Sequence, residues 1–295
     1  MIARDKDLYI ERNESREEIS SSAGDKNEIA SSYLKSVPEL PVRRAKTAIV
    51  TGASSGVGLE LAKRLSLNGY RVVANSRRIT SSRTLAETEH IKLVDGDISL
   101  PETAERVVTT AIQHFGTIDL LVNNAGVFLP KPFTEYTTED LRVAVATNLF
   151  GFFFVSQLAV ARMRLQKFGH VVNISTSLVS QPIAGVPASL ANLSKGGLES
   201  VTRALAIEYA DEGIRFNTIA LGVVNMPMNP IEAHEFLRLM SPLKRLAEVD
   251  QVADLLLYME AAPFLNGAVV HLDGGACRKM GVSKCRKLAP ESRSC

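Results

Sequence analysis

Thr51-Gly52-Ala53-Ser54-Ser55-Gly56-Val57-Gly58 places three glycines between an apolar run and an amphipathic segment. Glycines so spaced between a strand and a helix have separate uses. Gly52 permits a tight turn, Gly56 lets the backbone come close to a pyrophosphate, and Gly58 lets the helix pack against the sheet. The N-terminus of a helix offers free N–H groups and a partial positive charge, so Ser54, Ser55, Gly56 and Val57 lie where a diphosphate would be gripped. A second group follows the next apolar run: Asn75-Ser76-Arg77-Arg78. An acid there would accept hydrogen bonds from a ribose 2′-hydroxyl and repel a 2′-phosphate. Ser76 instead offers a hydroxyl, and Arg77 and Arg78 offer guanidinium forks that suit a phosphate. The pattern favours NADP(H) over NAD(H). The plain alternative is a strand-to-helix turn followed by two solvated arginines.

Chemistry of this kind needs elements to hold it, and these are legible. Strand-like runs occur at Thr47–Val50, Arg71–Ala74, Ile91–Val94, Leu120–Val122, His170–Ser175, Arg215–Ile219 and Ala268–Leu272. Helical patterns separate them at Val57–Asn68, Pro101–His114, Thr138–Gln166, Ser189–Ala210, Ile231–Leu239 and Val249–Met259. Alternation of this kind implies an α/β fold, a parallel sheet with helices on both faces. The expected architecture is a Rossmann-type, doubly wound, seven-stranded sheet in a single domain, residues 46–276.

The chain has 295 residues, 45% of them hydrophobic and 22% charged, enough for a sizeable core. A net charge of +2 gives no reason to expect nucleic acid or a membrane surface as partner. No uninterrupted apolar run reaches the roughly 18 to 20 residues of a bilayer span; the longest lies around Leu149–Val155. Residues 1–45 are Ser-rich with mixed charge and lack the apolar middle of a signal peptide. They read as a disordered arm with a short helix near Glu14–Ser21. The three cysteines, Cys277, Cys285 and Cys295, all fall in a basic tail, 277–295, and match no zinc spacing. No metal site is expected. A core without cysteine fits a reducing, cytoplasmic setting.

Further motifs follow in order: Asp97-Ile98, Asn123-Asn124-Ala125-Gly126, Asn148, Lys195 and Asp273-Gly274-Gly275. Together with the glycine turn, this set resembles the short-chain dehydrogenase/reductase family over about Lys46 to Ala276. The resemblance implies the strand order 3-2-1-4-5-6-7, a homotetramer or homodimer, and a small carbonyl or alcohol substrate. It also implies residue roles. Asp97 and Ile98 hold the adenine, and Asn124, with Ala125 and Gly126, runs along the cofactor. Asn148 holds a water in a proton relay, and Lys195 binds the nicotinamide ribose. Asn148 is otherwise a helix-bending amide and Lys195 a surface lysine.

The pattern breaks at the acid. The family carries a tyrosine four residues before the lysine, and here that position is Ala191. A phenol beside an ammonium gives a proton to the developing alkoxide, help worth roughly 100- to 10,000-fold. Alanine has none to give. The family's carbonyl-polarising serine falls on Thr176, with Ser177 beside it, and the stretch to Lys195 is longer than the family pattern. After the sixth strand Leu221-Gly222 replaces Pro-Gly, and Met226 stands where a carboxamide-binding threonine would be. Gly222 and Val224 remain to pack on the nicotinamide, and Met226–Pro230 leads into a lid. Tyr136, Tyr209 and His234 are the candidates for a substitute acid. Small residues at Ala184–Ala188 suggest an apolar pocket wall. Two functions follow: an NADP-dependent oxidoreductase with a water or hydroxyl as proton donor, or a non-catalytic NADP-binding sensor or partner subunit.

Overall fold

Each strand of the sheet alternates its side chains between two apolar layers. Ala48 and Val50 of β1 (Thr47–Thr51) face one way with Val72, Leu120, Val122 and Ile219, while Ile49 faces the other with Val73, Leu121, Val171 and Phe216. This two-residue period needs a helical layer on both faces. The computed structural model, which describes residues 44–229 and 231–276, supplies both. Against the first layer pack α1 (Gly56–Leu67) and α8 (Val249–Ala261), through Leu61, Leu65, Leu256 and Met259. Against the second pack α3 (Pro101–Phe115), α5 (Gly151–Gln166) and α6 (Ser189–Glu208), through Val107, Val155, Met163 and Ala206. Each fully buried side chain of this size stabilises the fold by roughly 1.5–3 kcal/mol.

The remaining strands are β2 (Arg71–Ser76), β3 (Ile91–Asp95), β4 (Leu120–Asn123), β5 (Gly169–Thr176), β6 (Ile214–Leu221) and β7 (Val269–Leu272). All pair in parallel, in the order β3-β2-β1-β4-β5-β6-β7. The expected fold and strand order are therefore present, and the described residues from Ala45 to Ala276 belong to one unit. The order reverses between β1 and β4, and a doubly wound sheet opens a crevice at such a point.

Three local departures stand out. A short α2 (Ile79–Ser82), not foreseen from the sequence, follows β2. The single helix expected at Thr138–Gln166 is α4 (Thr138–Val145) and α5 joined by a π-turn at Ala146–Phe150. The expected Ile231–Leu239 helix is a 3-10 turn, Ile231–Ala233, followed by α7 (His234–Arg238). Taken as a whole, Thr138–Gln166 is long and apolar enough to cross a bilayer, with a peak mean hydropathy of 1.8. Interspersed polar residues hid this from a search for unbroken apolar runs. Its C-terminal half nevertheless packs Val155, Ala159 and Met163 onto the sheet. The arm, its Glu14–Ser21 helix and the cysteine tail lie outside the described residues.

Beneath the sheet, at the opposite end from the crevice, lies a buried charge cluster. Asn217 Nδ2 donates to His170 Nε2 (2.9 Å) and to the Leu265 carbonyl (2.9 Å), while its Oδ1 accepts from Ala268 N. His170 Nδ1 lies 2.5 Å from Glu260 Oε1 and 3.0 Å from Arg215 Nη2. Tyr70 Oη and Lys46 Nζ hold Glu260 Oε2 at 2.8 and 3.2 Å. Burial lowers the His170 pKa against the opposing pull of Glu260. Burial alone would raise Glu260, but His170, Lys46 and Tyr70 together hold it down at about 2. Both shifts act in the same direction. Acid protonates the unfolded histidine and then the unfolded carboxyl before their folded counterparts, so stability is lost as pH falls below about 6.5. The urea midpoint is expected to drop between pH 7 and pH 5, and to drop less in His170→Gln. Equal drops in the two proteins would remove His170 from the account.

Candidate active site

The glycine turn opens where β1 meets β4. Gly52 has a φ of +67°, which only glycine adopts without strain. Asn124 Nδ2 donates to the carbonyls of Thr51 (2.9 Å) and Gly52 (3.2 Å), and Thr51 Oγ1 accepts from the amides of Asn124 and Ala125. A Cβ at Gly58 would collide with Asn124 Nδ2 and the Gly52 carbonyl. Helix α1 then starts without a side-chain cap: Ser55 is extended and caps nothing, and the first turn carries no acid. Its first amides and dipole are left for an anion.

A cleft of about 1410 Å³ runs from this turn across the carboxyl ends of the strands. At one end it is lined by Ser76, Arg77, Arg78, Asp97 and Ile98. Neither arginine side chain has an ion pair or hydrogen bond among the described residues; the Arg78 carbonyl accepts from Ser81 Oγ at 3.2 Å. Asp97 Oδ1 accepts from Ser99 N and Oγ at 2.9 and 2.7 Å. Along the middle run Ser54, Ser55, Gly56, Val57, Gly58, Asn124, Ala125 and Gly126. At the other end are Thr176, Ser177, Lys195 and Gly222.

Lys195 is half-buried on α6, and Nζ reaches the Ile174 carbonyl at 3.4 Å. Burial lowers its ammonium to about 8. The preceding Ser194 accepts from Asn148 Nδ2 at 2.9 Å. Asn148 also holds both backbone groups of Val127, accepting from N at 2.9 Å and donating to O at 3.2 Å. Its side chain is therefore spent on bracing α6 against the loop after β4, at the centre of the π-turn, and it does not line the cleft. Ser175 Oγ donates to the buried Glu199 Oε1 at 2.8 Å, a second brace one turn beyond Lys195.

Val224 also departs from expectation. It is fully buried, bridges to Ala247 and packs in the first apolar layer, while its neighbour Val223 lines the cleft. Extended backbone turns successive side chains to opposite sides, so an offset of one residue exchanges wall for core. Ala191 is 3% exposed and does not line the cleft. Nor do the three candidate substitutes. Tyr136 Oη donates to the Leu129 carbonyl at 2.6 Å, Tyr209 packs on Phe216, and His234 Nε2 lies 3.0 Å from the Asn229 carbonyl.

Of the apolar wall expected at Ala184–Ala188, Gly185, Val186 and Pro187 line the cleft and the two alanines do not; Ile183, Phe128, Phe236, Leu237 and Met240, which the sequence reading missed, join them. Ser82, on α2, was also missed at the arginine end. Met226 lies over the glycine turn, 3.4 Å from where a Gly56 Cβ would stand. No group of three or more His, Cys, Asp or Glu side chains able to hold a metal occurs among the described residues.

Residues 52–277 match a protein family described as enoyl-(acyl carrier protein) reductase. A 2,3-dihydroxy-2,3-dihydro-p-cumate dehydrogenase of Pseudomonas putida is 31% identical over 247 residues, covering 78% of this chain and 94% of its own. Among solved structures, a 3-ketoacyl-(acyl-carrier-protein) reductase from Brucella melitensis, complexed with NADH, is similar with a TM-score of 0.74 and 27% identity. It covers 79% of this chain and 98% of its own. A gluconate 5-dehydrogenase from Burkholderia cenocepacia, in complex with NADP and tartrate, has a TM-score of 0.72 at 25% identity, covering 80% and 96%. The chain therefore belongs to the short-chain dehydrogenase/reductase family and is an oxidoreductase.

Proposed function

We propose that the protein is an NADP-dependent oxidoreductase acting on a small carbonyl or alcohol, with cleft hydroxyls and the Lys195 ammonium doing the work of the family's phenol. The observation that carries the cofactor reading is the unpaired pair Arg77 and Arg78 beside Ser76 at the cleft's edge. The related structures hold NADH in one case and NADP in the other, so the choice falls to this chain's own charges. The uncapped start of α1 and the crowded glycines fit a diphosphate.

The α1 amides would hold the diphosphate, the arginines and Ser76 a 2′-phosphate, Asp97 and Ile98 the adenine, and Lys195 the nicotinamide ribose. Gly222 and Val223 would wall the ring. When bound, NADP(H) supplies or accepts the hydride. As a carbonyl is reduced, charge develops on its oxygen, and Thr176 and Ser177 supply hydroxyl donors to it. Lys195, with its ammonium lowered to about 8, is the group that gives up a proton near working pH. The apolar wall of Ile183, Val186, Phe236, Leu237 and Met240 suits an uncharged substrate.

One observation favours the second reading, a non-catalytic NADP-binding sensor or partner subunit. Ala191 is sealed from the cleft, and Tyr136, Tyr209 and His234 are engaged elsewhere. Calorimetric titration with NADPH and NADH, followed by a panel of carbonyls with reduced nicotinamide absorbance as readout, separates the two. Tight NADPH binding with turnover supports the enzyme; binding without turnover on any substrate supports the sensor.

For self-association, we infer that the second copy meets the apolar strip of Leu149 and Phe150 in the π-turn and Phe153 on α5 with Gly197 and Val201 on α6. Phe150 and Phe153 are 48% and 53% exposed, an uncommon cost for a monomer. Sedimentation should show an oligomer that Phe153→Glu shifts to monomer; an unshifted species would place the contact elsewhere.

The proton assignment fixes a pH profile. The rate of reduction should be level below about pH 8 and fall above it, as the ammonium loses its proton. Lys195→Met should cost roughly 100-fold or more and abolish that limb. A reduction rate that climbs through pH 8 would exclude the ammonium as donor.

A further inference from the structure

The ends of β2 and β3 set Ser76 directly beside Asp95, so a carboxylate stands on the strand next to the residue that precedes Arg77 and Arg78. A carboxylate in that place has two harmful options. It can pair with an arginine and take it out of service, or it can repel an incoming phosphate. Here it does not pair with either arginine. The Thr80 amide donates to Asp95 Oδ1 at 3.0 Å, and the Thr80 hydroxyl donates to Oδ2. Both oxygens are thereby committed to α2, and these bonds hold the carboxyl below its usual range.

The segment is tied down further. Ser82 Oγ donates to the Ile79 carbonyl at 2.7 Å and lies 2.9 Å from Thr84 Oγ1. Thr84 Oγ1 donates to the Ser54 carbonyl at 2.9 Å, which links this frame to the glycine turn. Arg77, Arg78 and Ser82 face the cleft, whereas Thr80 and Asp95 do not line it. On the other flank, Arg106 Nη2 donates to the Asp95 backbone carbonyl at 3.0 Å.

We propose that the Thr80–Asp95 clasp determines cofactor specificity: by occupying Asp95, Thr80 leaves Arg77 and Arg78 free for the 2′-phosphate. The proposal rests on the NADP reading above and adds two positioning residues to it, neither of which touches the cofactor. Thr80→Val keeps the amide and the side-chain shape but loses the hydroxyl. Asp95 Oδ2 is then released towards the arginines.

The experiment titrates NADPH and NADH into the full-length chain and its variants and compares the two dissociation constants. In the unsubstituted protein, NADPH should bind the tighter. Thr80→Val should weaken NADPH about tenfold, the effect of one misplaced charge a few ångströms away, and leave NADH within about twofold. Adding Asp95→Asn to Thr80→Val should restore NADPH binding, because the competing charge is gone. Thr80→Ser, which keeps the hydroxyl, should behave as the parent and shows that the segment tolerates substitution. Equal weakening of both dinucleotides would reduce the clasp to a structural brace and overturn the proposal. So would unchanged NADPH binding, as when Asp95 turns to Arg106 instead, or a failure of Asp95→Asn to rescue. A parent protein without NADPH preference would overturn the NADP reading itself, and that result is read before any variant is made.

Discussion

The first amides of α1 point into the cleft from a helix that no side chain caps. Most helices of soluble proteins spend a Ser, Thr, Asp or Asn on that task, and Thr137 does so at α4 through a full capping box with Asp140. At α1 a serine is in the N-cap position and leaves the amides alone. The turn is instead secured from outside, by Asn124 on the Thr51 and Gly52 carbonyls and by Thr51 Oγ1 on the next two amides of the β4 loop. Strand, turn and helix are thus fixed by bonds that use none of the groups an anion needs. The sheet's reversal between β1 and β4 gives the anion its room, and the rest of the cleft is arranged around it.

A second constraint concerns α6, which carries Lys195 into a partly buried position. Two hydrogen bonds hold it on either side of that residue: Asn148 to Ser194, and Ser175 to Glu199. The π-turn at Ala146–Phe150 accompanies the first of these. An extra residue in the turn sets Asn148 where its amide reaches both Val127 and Ser194. A π-turn is rare and often marks a functional site. Here the local irregularity has a definite use: one buried amide couples the β4 loop to the helix of the lysine.

Much of this was legible in sequence because its signals are local. Runs such as Ala48-Ile49-Val50 and Leu120-Leu121-Val122 read as strands buried on both faces, and glycines so spaced between a strand and a helix mark a phosphate turn. What escaped depends on contacts between distant segments. Nothing in Ile79-Thr80-Ser81-Ser82 favours a helix, and its turn is held by Asp95 from another strand. Asn148 sits in a pattern that reads as unbroken helix, because the π-turn answers to Val127 and Ser194 and not to its neighbours. The exchange of Val224 for Val223 turns on the bridge to Ala247, more than twenty residues away. The apolar side chains Phe236, Leu237 and Met240 lie in or just after a helical pattern that does not tell which of its sides meets the cleft.

In the proposed reaction the source of the proton is better understood through Lys195 than through Ala191, four residues before it. Where a phenol and an ammonium are neighbours, the ammonium's charge lowers the phenol's pKa and the phenol delivers the proton. The proposed reaction, with alanine at 191, has no such division of labour. The ammonium keeps its burial without a partner to acidify, and burial brings it to about 8, between an ordinary lysine and neutrality. A group there can both donate at neutral pH and be recharged by solvent through the open cleft. Thr176 and Ser177 have hydroxyls too weakly acidic to supply a proton alone, yet they can pass one on while bonding to the developing alkoxide. In the proposed reaction the lysine is therefore a source of protons as well as a holder of the ribose. Its braces at Asn148 and Glu199 then matter for chemistry and not only for the fold, since a donor that wanders by an ångström loses much of its effect.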